Sequence, residues 1–143
     1  MFMGEFEHAI DVKGRVAVPV RFRQDLGTTA IVTRGLDTCL FVYPEAEWRT
    51  LAERLAALPL AQANTRAFSR LMLAGAMEVS VDKQGRLMIP DYLRRYAHLQ
   101  KKVVLTGLLT RVEIWDSETW QSYRTSTEQN SGAIAEALQD LGV

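Results

Sequence analysis

The sequence contains one short motif twice, and this repeat constrains the fold more than any other feature. Residues 10–19 read Ile-Asp-Val-Lys-Gly-Arg-Val-Ala-Val-Pro, and residues 81–90 read Val-Asp-Lys-Gln-Gly-Arg-Leu-Met-Ile-Pro. Matching positions continue on both sides, so that residues 5–48 and 76–120 are two copies of one unit. A unit of this length is only marginally stable alone, because it buries too little of its surface. We therefore predict that the two copies share one core and fold as a pseudo-dimer.

Each copy of the motif has the composition of a tight turn between two short strands. Aspartate can accept hydrogen bonds from nearby backbone N–H groups, and glycine can adopt a positive φ without steric penalty. The residues expected to form the turns are Asp11, Gly14, Asp82 and Gly85. Branched apolar side chains follow at 15–18 and 86–89. The pattern predicts a β-hairpin in each repeat, with Arg15 or Arg86 at the start of the return strand.

The rest of each repeat predicts further strands and helices. Short helices are expected after Pro19 and Pro90, because proline is favoured in the first helical turn. Paired strands follow at 30–33 with 39–43 and at 103–106 with 111–115. A further helix follows each pair, and Asp116 is expected to cap the second of these helices. The predicted fold class is α+β, mainly β with helices.

Two segments lie outside the repeats. Residues 49–75 are predicted to be a helical linker, because apolar side chains recur there at helical spacing. Residues 121–143 are predicted to be a tail, with a loose linker at 124–131 and a short helix after it. Trp48 and Trp120 occupy matching positions in the two repeats, so we predict that they pack in the core rather than stack on bases.

Composition excludes several classes of protein. The chain has 143 residues and is 48% apolar and 24% charged, which is typical of one globular domain. No apolar run approaches the ~18 residues needed to cross a membrane. The start has no basic region before an apolar stretch, and the single cysteine, Cys39, cannot form an internal disulfide. We therefore expect a cytoplasmic protein.

The sequence also lacks the patterns of an enzyme. The two histidines, His8 and His98, do not occupy corresponding places in the repeat. There is no Cys/His cluster for zinc and no glycine-rich phosphate loop. We predict that the protein is not an enzyme and needs no cofactor or metal.

Charge is segregated along the chain although the formal net charge is zero. Residues 82–102 carry six basic and two acidic side chains, whereas residues 113–143 carry one basic and six acidic side chains. This segregation fits two unrelated solvated faces as well as a binding site for a polyanion. Charge alone leaves both interpretations open.

The repeated run Asp-x-x-Gly-Arg-Val-x-Val-Pro-x-x-Phe-Arg, which begins at Asp11, resembles the SpoVT-AbrB swapped-hairpin domain of bacterial transition-state regulators. Two tandem copies, the linker around residues 66–76 and the strand at 113–115 make the whole chain similar to the MraZ family of transcription regulators. This resemblance implies a double-split β-barrel, DNA binding through the Asp-x-x-x-Arg loops, ring-shaped oligomers and repression of the protein's own division and cell-wall operon. His98 departs from the pattern, since the first repeat has Gly27 at that position.

The resemblance favours DNA contact over the simpler interpretation that Arg15 and Arg86 pair with the turn aspartates. Arginine is the side chain best shaped for guanine edges and for phosphates. Lys13 and Lys83 are expected to add phosphate attraction, which positions the protein but does not specify sequence. Further candidates for phosphate contact, with a solvated helix surface as the alternative, are Arg21, Arg23, Arg94 and Arg95.

The sequence-based hypothesis is a sequence-specific DNA-binding transcription regulator, associated with the nucleoid and bound to double-stranded promoter DNA. A loop with one or two arginines reads only a few bases, too few to select one promoter among ~10⁶ competing sites. We therefore predict a ring of several copies that binds short direct repeats together. The alternative is a ring-forming scaffold without specific DNA binding, whose basic loops contact an acidic protein.

Overall fold

Helices and mostly antiparallel strands alternate in the computed structural model, which describes residues 1–142. The first repeat contains β1 (Phe2–Ala9), β2 (Arg15–Ala17), α1 (Val20–Leu26), β3 (Thr29–Arg34), β4 (Leu40–Pro44) and α2 (Glu45–Ala56). A linker follows, with α3 (Ala63–Ser69) and a π-helical turn (Arg70–Ala74). The second repeat contains β5 (Met77–Ser80), β6 (Arg86–Met88), α4 (Asp91–Tyr96), β7 (Lys102–Leu109), β8 (Arg111–Asp116) and α5 (Ser117–Gln129). These are followed by α6 (Ser131–Ala137) and a 3-10 turn (Gln139–Leu141). The predicted α+β class is confirmed.

The two repeats exchange strands. One sheet has six strands in the order β1-β7-β8-β4-β3-β5, and the second sheet is a two-stranded ribbon of β2 and β6. Strand β1 therefore pairs with β7, β5 pairs with β3, and β2 pairs with β6, each across the boundary between repeats. This exchange makes one joint core, as the pseudo-dimer prediction requires.

The hairpins differ from the sequence prediction. Within each repeat the pairing is reduced to an isolated bridge, Ile10 with Val16 and Val81 with Leu87. The return strands, β2 and β6, instead form their ladder hydrogen bonds with each other, because each lies next to its equivalent across the local two-fold axis. The same bridges connect the ribbon to the edges of the large sheet, so the two sheets are joined there by single bridges rather than by continuous ladders.

The core determines which face of the ribbon points outward. Val16 and Leu87 point inward and are 0% and 1% exposed. Phe22 and Leu93 are buried beside them on equivalent helices, and Phe22 packs edge-on against Phe2 with ring centroids 5.4 Å apart. Because successive side chains on a strand alternate between faces, the residues flanking Val16 and Leu87 must face away from this core.

Helix ends show where local sequence was misleading. Gly27 ends α1 with φ +78°, and His98, just after α4, takes a similar φ of +52°. Asp116 precedes α5, but its carboxylate does not cap the helix; it accepts a hydrogen bond from Gln100 N at 3.0 Å. Helix α5 continues to Gln129, so the prediction of a loose linker at 124–131 is wrong.

A second apolar cluster lies between the sheet and the helices outside it. Phe41, Tyr43 and Trp115 are buried there, and Trp48 and Trp120 pack against them. The packing of both tryptophans follows the prediction. In residues 1–142, no helix has the length and hydropathy needed to cross a membrane.

Two surface features remain beyond this cluster. A groove between α2 and the linker is lined by apolar side chains and by two arginines. Its lining includes Leu55, Leu58, Leu60, Leu73, Arg66 and Arg70. The segment from 121 to 142, which contains most of α5 and all of α6, is exposed at every residue.

Candidate nucleic-acid interface

The first loop is a closed turn built on one aspartate. Asp11 Oδ1 accepts hydrogen bonds from the backbone N–H groups of Lys13 and Arg15, each at 2.9 Å. Its Oδ2 accepts from Nε of Arg15 at 2.7 Å. Gly14 N donates to Asp11 O at 2.9 Å, and the turn places Gly14 at φ +88°. Only glycine adopts this backbone conformation at low cost.

The second loop repeats this geometry. Asp82 Oδ1 accepts from the backbone N–H groups of Gln84 and Arg86, and its Oδ2 accepts from Nε of Arg86, all at 2.9 Å. Gly85 has φ +76°. Both loops therefore use the carboxylate to fix the backbone and the arginine together.

These hydrogen bonds stabilise the ionised carboxylates. The backbone N–H of Arg15 is the largest cause that lowers the pKa of Asp11 to about 2, and the side-chain bond from Arg15 adds to it. The pKa of Asp82 is lowered for the same reasons, with Arg86 as the donor. Because the folded pKa lies below the unfolded value, the stabilising contribution is complete above the unfolded value of 3.8 and is lost as pH falls toward 2.

We expect Arg15→Ala to raise the pKa of Asp11 but to leave it below its ordinary value, because the backbone donors remain. Carboxyl chemical shifts followed over an acid titration measure this. Asp82, with its own donors, is the internal control and keeps its pKa. An unchanged pKa at Asp11 would contradict the observed Nε contact.

The two arginines lie on one outer face of the ribbon. Arg15 pairs with Met88, and Ala17 pairs with Arg86, in the antiparallel ladder. Arg15 and Arg86 are therefore diagonal neighbours, roughly 7–8 Å apart and with their Cβ atoms somewhat closer. Their side chains are 31% and 30% exposed. Within residues 1–142, Nη1 and Nη2 of both arginines make no hydrogen bond, so the ends of both guanidinium groups remain available.

The two lysines occupy different places in the loops. Lys13 corresponds to Gln84, whereas Lys83 corresponds to Val12, and both lysines are exposed. They flank the arginine pair without reproducing the symmetry of the repeat.

The four helix arginines divide into two kinds. Arg21 and Arg95 are exposed, and Arg95 Nε pairs with Asp91 at 3.0 Å. Arg23 and Arg94 are half-buried, and their guanidinium groups lie against the loop glycines of the opposite repeat. The sequence pattern does not distinguish these two kinds of arginine, although Arg23 and Arg94 recur in register in the two repeats.

Cys39 is fully buried, and burial raises the pKa of its thiol, so it stays protonated and unreactive. In residues 1–142, no three His, Cys, Asp or Glu side chains are grouped so that they could hold a metal ion.

Comparison with known proteins gives the family. The family model described as "MraZ protein, putative antitoxin-like" matches residues 1–71 and again residues 72–141, so each match contains one loop. The chain belongs to the MraZ family. It is 51% identical to Transcriptional regulator MraZ of Natranaerobius thermophilus over 143 residues, which is 100% of both chains. It is 52% identical to Transcriptional regulator MraZ of Desulforamulus reducens over 141 residues, or 99% of both chains.

Membership confirms the resemblance on which the sequence analysis relied. MraZ proteins of this similarity carry the name of transcriptional regulators, and regulation of transcription is the function class of this chain.

In this MraZ protein the loop glycines provide a test of the turn geometry. We expect Gly14→Val and Gly85→Val each to lower the free energy of unfolding by about 1–3 kcal/mol, because valine is strained at positive φ. Urea denaturation measures the loss. Gly132→Val is the matched control, because Gly132 is not among the glycines with positive φ and nothing lies within 4 Å of a Cβ added there. Stability equal to that of the parent protein in both loop variants would contradict the turn assignment.

Proposed function

We propose that this MraZ chain binds double-stranded promoter DNA sequence-specifically through the ribbon face that carries Arg15 and Arg86. The observation that carries the proposal is the presentation of these two side chains. Each is held by an aspartate through Nε, and its Nη1 and Nη2 make no hydrogen bond within residues 1–142. A guanidinium fixed in this way matches the O6 and N7 acceptors of guanine in the major groove.

Other basic residues supply a different kind of contact. Lys13, Lys83, Arg21 and Arg95 are exposed near the ends of the ribbon or on the helices after it. Such side chains attract phosphates, which fixes the position of the protein on the duplex but does not read sequence. Asp91 neutralises part of the charge of Arg95, so we expect Arg95 to contribute less than Arg21.

One ribbon reads little sequence. The separation of roughly 7–8 Å between these diagonal neighbours corresponds to about two base-pair steps, since bases rise ~3.4 Å per step. A promoter must be selected among ~10⁶ competing sites. Several copies held in a ring solve this problem, because each further short repeat is bound at high effective concentration.

The proposed inter-chain surface pairs the apolar groove with the exposed C-terminal segment. Residues 54–73, which line most of the groove, contain three arginines and no acidic residue. Residues 125–142 contain three acidic residues and no lysine or arginine. Ile134, Leu138 and Leu141 of this segment recur at helical spacing and are exposed. A segment that docks in the groove of the next copy is a head-to-tail contact, and such contacts form a ring when the rotation from copy to copy closes.

The proposed outcome is repression of the protein's own division and cell-wall operon from the nucleoid. Footprinting on DNA upstream of the gene, together with transcript levels in a deletion strain, tests it. We expect protection of short direct repeats, higher transcript levels without the protein, and an affinity that falls log-linearly with salt. Binding to no upstream fragment, with capture of an acidic protein instead, would support the scaffold alternative.

A further inference from the structure

In each of the two loops that carry Arg15 and Arg86, the loop glycine packs against an arginine of the other repeat. A Cβ placed on Gly85 would lie 2.5 Å from Cζ of Arg23, and one placed on Gly14 would lie 2.8 Å from Cζ of Arg94. Both glycines are buried although the residues just before them in the loops are exposed. The guanidinium groups therefore occupy the space that a side chain on either glycine would need.

Backbone hydrogen bonds connect the same elements. Gly85 O accepts from Val18 N at 2.8 Å, and Val18 O accepts from Nε of Arg23 at 3.0 Å. Arg23, the end of β2 and the second loop thus form one continuous contact. In the other direction, Gly14 O accepts from Ile89 N at 2.8 Å.

The two arginines are not held equally well. Nε of Arg94 is buried and has no hydrogen-bond partner within residues 1–142, unlike its equivalent in Arg23. Nη2 of Arg94 lies 3.7 Å from Oδ1 of Asp91, an acid with no counterpart in the first repeat, where Val20 stands. The Arg94 guanidinium thus lies between the first loop and this acid.

We propose that Arg23 and Arg94 are positioning residues, each of which holds the base-reading loop of the opposite repeat in shape. The proposal rests on the proposed DNA-binding function. A loop without this support leaves Arg15 or Arg86 free to sample more orientations, and the cost of ordering that side chain is then met at the moment of binding. The support crosses between repeats: Arg23 acts on Arg86, and Arg94 acts on Arg15.

A double-mutant cycle on DNA affinity tests the crossing. Arg23→Met keeps the aliphatic stem and removes the guanidinium, and we expect it to weaken binding by about 2- to 10-fold. In an Arg86→Ala background the same change should reduce DNA affinity little further. In an Arg15→Ala background, the matched control, the fold-losses of affinity from the two substitutions should multiply. Coupling to Arg15 instead of Arg86, or equal multiplication with both, overturns the proposal.

Salt dependence separates positioning from phosphate contact. A residue that touches no phosphate leaves the slope of log K against log salt unchanged, whereas removal of a phosphate-binding side chain makes the slope shallower by about one per phosphate. We expect Arg23→Met to keep the parent slope and Arg21→Met, on the same helix but exposed, to make it shallower. A shallower slope for Arg23→Met overturns the positioning role.

Amide spectra of the DNA-free protein distinguish failure of this proposal from failure of DNA binding. Arg23→Met should shift the Gly85 amide and leave the Gly14 amide in place. Asp91→Val places the residue of the first repeat at this position and frees Arg94 and Arg95 from their acid. It should shift the Gly14 amide through Arg94 and leave Gly85 in place. Shifts in the same repeat as the substitution overturn the proposal. The crossed shifts, found in a protein that binds no DNA, uphold the support while refuting the proposed function.

Discussion

Alanine at Arg15 or Arg86 is expected to weaken specific DNA binding strongly while leaving the fold intact. Each substitution removes a guanidinium that we propose to hydrogen-bond a base edge, which costs about 1–3 kcal/mol of binding free energy at each such base. The same penalty recurs in every copy of a ring that engages the DNA, so the total effect on affinity exceeds that of one site. Fluorescence anisotropy with upstream DNA measures it, and circular dichroism reports the fold.

The lysine variants provide the control. Arg15→Lys and Arg86→Lys retain the charge but lack the fork of parallel N–H donors. They should bind scrambled DNA as the parent does and lose the preference for the upstream sequence. If both alanine variants fold normally and bind upstream DNA with unchanged affinity, the ribbon face is not the DNA-binding surface.

The spacing of the short direct repeats in the DNA, here called boxes, is expected to have the largest effect on affinity of all the changes considered. Copies fixed in a ring reach successive boxes only if these face the same side of the duplex, about one turn or 10 bp apart. Insertion of half a turn between two boxes should therefore remove the avidity of the second, an effect of about 10²–10⁴ in affinity. Gel shifts on a series of spacer lengths measure the change.

A full-turn insertion is the matched control, because it restores the phase and should restore much of the cooperative binding. Light scattering on the free protein gives the oligomeric state. A monomer at micromolar concentration, or binding that ignores spacer length, would remove the ring mechanism even if single boxes are bound.

The order of the elements was largely predictable because it depends on local chemistry. Asp11 and Gly14 form a turn through their own hydrogen bonds and backbone preferences, whichever strands flank them. The exchange of strands was less accessible. Two copies of one motif offer a return strand chemically equal partners in its own repeat and in the other, so the local pattern does not choose between them. Only the packing of a shared core around Val16 and Leu87 determines which partner each return strand takes.

The same limit applies to the candidate site. That Arg15 follows a turn is visible in sequence, but which arginine lies beneath which glycine depends on the exchange. Arg23 is nine positions from Gly14 and far from Gly85 along the chain, yet it lies against Gly85. The prediction of a loose linker at 124–131 was wrong for another reason. Its polar composition suggested a coil, whereas α5, in which Tyr123 packs on Trp115 with ring centroids 5.1 Å apart, continues to Gln129.

The exchanged strands also determine when the protein can fold during its synthesis. Phe2 at the start of β1 lies opposite Leu109 in β7, so the first strand waits for its partner until most of the chain has left the ribosome. Contacts so distant in sequence form slowly, because a long loop must close before they stabilise anything. Until then the apolar face of the first repeat is exposed, and the first repeat of a neighbouring nascent chain offers it an equivalent surface. Pairing of strands between two chains would then replace pairing within one chain. Fusion of the two repeats opposes this, because the second repeat of the same chain is nearby as soon as it has been synthesised.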